Sequence, residues 1–228
     1  MQGLSPRAVP FNYCTTWISV TWKIIMVNYL LALGATYFLI GMGLVGYFLG
    51  TLGGAFASGI STLLTPGILL IGSDFSKKNK SNFDLIFTGF RDRDLLSRLL
   101  PLVLFNILFA LINGHFTKNH VLVGTVISLL VAPFTYFAVP LMTFDKISFI
   151  NTIPLSLQAV IKNIVPLVLF IILIALLATG LGLLLFLPLV FYGLPLIMFT
   201  GYPVYASIFL NMDVDALNQS LLDTKSDT

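Results

Sequence analysis

Two uncharged runs of 50 residues, 24–73 and 163–212, constrain this chain more than any other feature of it. At a rise of ~1.5 Å per residue, about 20 residues of α-helix cross the ~30 Å hydrocarbon layer of a bilayer. Each run therefore has room for two crossing helices and a turn. Inside that layer water cannot satisfy backbone amides, so the chain has to satisfy them within its own helices. The composition agrees: 57% hydrophobic residues, 9% charged and a mean hydropathy of +0.99 lie outside the range of soluble domains. The sequence thus predicts an all-α polytopic membrane bundle of about six transmembrane helices. The first apolar run is too long for a secretory signal peptide, so residues 1–26 are expected to be retained.

Taken in order, 1–26 is read as an interfacial segment, with Trp17 and Trp22 at headgroup level. A first transmembrane hairpin occupies 27–73, with spans at 27–48 and 53–73. Gly46, Gly50 and Gly54 recur every four residues at its tip, a spacing that permits a turn and close helix contact. A second hairpin occupies 95–144, with spans at 95–114 and 121–144 and with Pro101 in the first turns of the former. Asp92 or Asp94 is expected to cap its start. Residues 145–163 form a second interfacial segment, in which Thr152 or Ile153 precedes Pro154 at a helix start and Ile153, Leu157, Val160, Ile161 and Ile164 share a face. A third hairpin, 164–210, holds spans at 164–185 and 188–210, and a polar tail, 211–228, is expected to be partly disordered.

The segment 74–98 holds ten of the 21 acidic and basic residues. Ser81 and Asp84 have the spacing of a capping box, and Phe83, Ile86, Phe87 and Phe90 follow at i, i+3, i+4 and i+7. This predicts an amphipathic helix on the bilayer surface, ended by Gly89. Lys77, Lys78 and Lys80 precede it and Arg91, Arg93 and Arg98 follow, a charge distribution suited to anionic headgroups. The proposed lipid or partner contact is Lys77, Lys78, Lys80, Phe83, Phe87, Phe90, Arg91 and Arg93.

With six spans, eleven of the twelve basic residues fall on one side and only Lys118 on the other. The positive-inside rule then places both termini and the central segment in the cytoplasm. A shift of 139 superposes the two uncharged runs and carries Gly41, Gly43 and Gly54 onto Gly180, Gly182 and Gly193. This is read as a parallel internal repeat around the middle hairpin.

Chemistry is sparse. No Asp, Lys, Arg or His lies inside an expected span away from its ends, so a charge relay through the membrane is not expected. His115 and His120 lack the further ligands a metal or haem site needs. No catalytic residue, metal or cofactor is assigned, and the small, dispersed net charge of +3 gives no reason to expect nucleic-acid binding. Neutral polar residues such as Asn106, Asn113 and Ser128 are read chiefly as helix-to-helix hydrogen bonds. Prolines 133 and 140 in the fourth span are expected to bend or loosen one side of that helix, and 188, 195 and 203 make the sixth irregular; such kinks either only shape packing or free carbonyl groups toward a cavity. Pro133, Tyr136, Pro140, Tyr192, Pro195 and Tyr202 are accordingly the candidate lining of a ligand pocket.

Two functional readings follow. The first is a non-enzymatic accessory or membrane-organising protein that works through its cytoplasmic amphipathic surface, with membrane lipids and another membrane protein as partners. The second is a carrier or binder of a lipid or small neutral solute at the kinked fourth and sixth spans. The stretches SVTWKIIMVN, LLTPGILLIG, FDLIFTGFR, IPLSLQAVIKNIVPLVLF and GYPVYASIF resemble a group of uncharacterised bacterial multi-pass inner-membrane proteins. That group is similar to the membrane domain fused to some glycerophosphodiester phosphodiesterases. The resemblance implies a six-helix inner-membrane protein with surface helices and carries over no catalytic residue.

Overall fold

The computed structural model describes residues 5–77, 80–184 and 189–213; Lys78, Pro188 and the tail from residue 214 lie outside them. Every regular element among the described residues is helical. In order these are α1 (Tyr13–Val27), α2 (Tyr29–Phe48), α3 (Gly50–Ser76), a 3₁₀ turn (Phe83–Phe87), α4 (Thr88–Arg91), α5 (Arg93–Asn119), α6 (Val121–Thr135) and α7 (Ala138–Phe144). There follow α8 (Phe149–Lys162), α9 (Ile164–Leu184), a π-helical turn (Leu189–Gly193), α10 (Leu194–Phe199) and α11 (Gly201–Phe209). Among the described residues four stretches are long and apolar enough to cross a membrane: α2, α3, the first 25 residues of α5, and α6 with α7. The count becomes five if α8 and α9, which meet at 80°, are taken together. The molecule is a multi-pass helical membrane protein.

The sixth expected span is not one helix. Pro195 and Pro203 have no amide hydrogen to give the carbonyls of Phe191 and Phe199, and the stretch 189–209 breaks into the π turn, α10 and α11 at these places. The internal repeat is not confirmed. The matching stretch in the first half, α3, runs unbroken for 27 residues through Pro66.

The chain divides into two compact units, 1–36 with 69–83 and 158–228, and 37–68 with 84–157. The first is built around α11, in which every residue from Tyr202 to Phe209 is buried. Such a helix needs apolar neighbours all round, and α1 supplies Trp17, Val20, Ile24 and Ile25, all completely enclosed. The Trp17 indole N–H donates to Ser207 Oγ at 3.0 Å, and its ring meets Phe170 edge-on at 5.7 Å. The end of α3 adds Phe75, stacked at 6.3 Å on Phe199, and Ser76, whose hydroxyl donates to the Tyr202 hydroxyl at 3.3 Å. Residues 1–26 are therefore not simply a surface segment with both tryptophans at headgroup level. Trp17 is enclosed in protein, and only Trp22 is exposed.

In the second unit, Leu63 of α3, Leu95, Leu99, Leu102 and Val103 of α5, and Ala138 and Met142 of α7 form the core. Asp92 caps α5, its Oδ1 accepting from the amides of Asp94 and Leu95 at 3.0 and 3.1 Å. The helix starts two residues earlier than expected and runs on to Asn119, which puts Pro101 well inside it. Asn106 Nδ2 donates to Thr62 Oγ1 at 2.8 Å and Asn113 Nδ2 to Ser128 Oγ at 2.9 Å, both between helices. On the outer side of α5, Leu100, Leu104, Leu108 and Ile112 repeat every four residues and are exposed, as a lipid-facing stripe should be.

The tip of the α2–α3 hairpin turns at Gly50, whose φ of +76° few other residues tolerate. The close helix contact is between Gly46 and Gly53. A Cβ on either would overlap the other's carbonyl oxygen, whereas one on Gly54 would meet nothing within 4 Å. The regular 46–50–54 spacing thus contains one contact glycine, one turn glycine and one without a packing role.

Candidate functional site

The central charged segment is more closely packed than an amphipathic surface helix would be. It forms a 3₁₀ turn and one turn of α-helix, and two glycines at its contact with α3, one on each side, explain why. Gly67 of α3 admits the backbone of Ile86, and Gly89 of α4 sits against the Leu63 carbonyl, approaches so close that a Cβ at either position would overlap backbone atoms. Gly89 is thus a contact glycine within α4 and does not end the element. Ile86 is fully buried, and Ser81 Oγ donates to Asp74 Oδ2 at 3.2 Å. Phe87 packs edge-on against Phe38 at 5.6 Å, Arg91 reaches Asp84 at 3.9 Å and lies 5.9 Å over the Phe87 ring, and Phe90 is 41% exposed. The proposed contact set does not gather in one unit. Lys77, Lys80 and Phe83 belong to the first, Phe87, Phe90, Arg91 and Arg93 to the second, and Lys78 is outside the described residues.

The six candidate pocket residues divide as well. Pro133, Tyr136 and Pro140 mark the break between α6 and α7. In a continuous helix the Phe137 amide would donate to the Pro133 carbonyl. Here Ser156 of α8 stands between them: its Oγ accepts from Phe137 N–H at 3.1 Å and donates to Pro133 O at 2.8 Å. The break is bridged by a protein hydroxyl that matches the Phe137 amide and the Pro133 carbonyl, and Tyr136 packs edge-on against Phe137 at 4.8 Å. Freed carbonyls were the reason to expect a ligand here, and this one already has a partner.

α8 has two distinct faces. Thr152, Ser156, Ala159 and Asn163, the last just past its end, are buried on one side. On the other, Ile150 is 77% and Ile161 62% exposed, with Pro154 also outward. The helix begins at Phe149, so Pro154 is inside it, with its missing amide on the exposed side. The expected isoleucine face exists in part and points away from the protein. Asn163 makes the corner into α9. Its Oδ1 accepts from Val9 N–H at 2.8 Å, and its Nδ2 donates to the carbonyls of Arg7 and Ala159 at 2.9 and 3.0 Å. Arg7 in turn donates from Nε to Ser207 O at 2.6 Å and from Nη2 to Met212 O at 2.9 Å, at the carbonyl end of α11.

The other three pocket residues are in the first unit, and one of them lines a cavity of about 340 Å³ between α1, α9 and the π turn with α10. α1 contributes Thr15, Ile18, Ser19 and Trp22, at i, i+3, i+4 and i+7 on one face. Ile174 and Leu177 come from α9; Tyr192, Gly193, Leu196 and Ile197 complete the wall. Tyr192 lies between Trp22, 5.5 Å away, and Tyr29, stacked at 5.6 Å. The Tyr29 hydroxyl donates at 2.8 Å to the Phe191 carbonyl, the group left without a helical partner by Pro195. Tyr202 is in the buried core with Ser76, and Pro195 is buried beside the cavity without lining it. The α1 lining escapes sequence reasoning because its pattern is also that of an interfacial helix. Ser156 and Asn163 escape it because a single polar residue beside an apolar run has many other uses.

No protein-family model, curated protein or solved structure matches this chain.

Proposed function

We propose that this chain is a non-enzymatic protein of the bacterial inner membrane, with both termini in the cytoplasm, that acts as an accessory or membrane-organising factor through its surface segments. The observation that supports this reading is the build of α8. Its outward side presents Ile150, Pro154 and Ile161, its inward side is small and polar, and it turns by 80° into an apolar helix. A helix of this kind belongs in the headgroup plane with its isoleucines in the acyl boundary. Through Ser156 the same helix holds the α6–α7 break, so whatever α8 contacts is linked by one side chain to a membrane-spanning element. The resemblance to multi-pass inner-membrane proteins points the same way.

A photo-crosslinking residue placed at position 150 or 161 of the full-length protein in native membranes tests this. Repeated capture of lipid or of one partner protein, exceeding capture from position 80, is the expected outcome. Equal, background-level capture from all three positions would remove the basis for the reading.

A further inference from the structure

The 340 Å³ cavity of the first unit is within the size range of small-molecule sites, about 300–1,000 Å³. Its wall is apolar at Ile18, Ile174, Leu177, Leu196 and Ile197, and none of its lining side chains is charged. Thr15, Ser19 and Tyr192 carry the hydroxyl groups of the lining. Thr15 and Ser19 are one turn apart on α1, and the Thr15 hydroxyl already donates to the Asn12 carbonyl at 2.9 Å, so toward a ligand it can only accept. The mouth is open: Trp22 is 40%, Ile197 40%, Leu177 42% and Tyr192 42% exposed. A π turn, a winding met often at functional sites, places Tyr192 there, and the Tyr29 stack and the Tyr29 hydroxyl on Phe191 O fix its position.

We propose that this cavity binds a hydrocarbon chain carrying a neutral alcohol headgroup, with the chain against the isoleucine and leucine wall and the alcohol O–H donating at the edge formed by the hydroxyls of α1 and Tyr192. At about 340 Å³ the cavity is of a size for one small amphiphile, at the low end of the range for small-molecule sites. A neutral headgroup suits the lining, which has no charged side chain to pair with a carboxylate or ammonium. This site is on α1, α9 and α10 and is independent of the surface reading of α8.

Trp22 makes the site measurable, since the only other tryptophan, Trp17, is fully enclosed. The full-length protein in phosphatidylcholine nanodiscs is titrated with 12-bromododecan-1-ol, and fluorescence quenching is followed against 12-bromododecanoate. Saturable quenching by the alcohol is expected, with the carboxylate weaker by about tenfold or more, the equivalent of one unpaired charge at a modest cost. Trp22→Phe should abolish the saturable component. Ile197→Phe, which fills the cavity from its half-exposed rim, should weaken it by about tenfold as well; Ile18→Phe decides the point should the first variant not fold. A brominated diacylglycerol in the nanodisc separates the sources: saturation by it assigns the chain to a bilayer lipid, saturation by the alcohol alone to a free amphiphile. Quenching that rises only in proportion to probe in the bilayer, that is as strong with the carboxylate, or that persists in the folded cavity-filling variants overturns the proposal.

Discussion

One hydroxyl keeps the α6–α7 break from leaving two backbone groups unmatched in an apolar surrounding. Ser156 does this by accepting from Phe137 and donating to Pro133 at once, which no apolar side chain of similar size can do. Ser156→Ala should therefore destabilise the protein by about 1–3 kcal/mol, the usual cost of stranding buried polar groups. Thermal unfolding in detergent, compared with Ser97→Ala on the exposed side of α5, whose hydroxyl bonds only the Asp94 carbonyl of its own helix, checks it. The glycines give a sharper contrast at the same scale. Gly46→Ala forces a methyl into the Gly53 carbonyl and should lose about 1–3 kcal/mol, while Gly54→Ala meets nothing and should be neutral or gain up to about 1 kcal/mol from helix propensity. In the sequence these two glycines are indistinguishable, because spacing shows which residues share a face but not how near the neighbouring backbone lies.

Elements were legible where one physical cause dominates. The hydrophobic length of α2, α3, α6 with α7, and α9 made these elements legible. The end of α2, both ends of α6 with α7 and the start of α9 lie where expected, whereas α2 starts two residues later and α3 extends three residues beyond 53–73 at each end. Asp92 capped α5 as one of two candidates. Asp92→Ala should cost about 1 kcal/mol and Asp92→Asn much less, since asparagine retains the accepting oxygen. Melting temperatures of the two variants separate these outcomes. Reading was weakest where tertiary contact overrides local pattern. The segment 83–91 has the spacing of an amphipathic helix, yet Gly67 and Gly89 let its backbone press on α3, and it winds as a 3₁₀ turn followed by one turn of α-helix. The stretch 189–209 has the hydropathy of a span, but two prolines cut it and α1 encloses its last part. Of the six expected pocket residues, Tyr192 lines the cavity of the first unit, and α1 forms the wall facing it. Prolines show where a helix opens, and only the fold shows what comes to fill the opening.

For the whole molecule, charge and hydropathy act together. Basic residues are concentrated at 74–98 and at the starts and ends of the apolar runs, so the proposed orientation leaves position 120 outside and position 80 inside. In intact cells a membrane-impermeant maleimide should label a cysteine at 120 and not one at 80. Cys14, the only native cysteine, is buried and should contribute little background. The reverse pattern would invert the topology. The account depends above all on α8 lying in the membrane surface with its isoleucine face in lipid. The most direct measurement is the accessibility of a nitroxide at position 161, in the full-length protein in nanodiscs, to oxygen and to a water-soluble nickel chelate. High oxygen and low nickel collision rates are predicted; a nitroxide that nickel reaches freely and oxygen does not would place the helix in water and contradict the account.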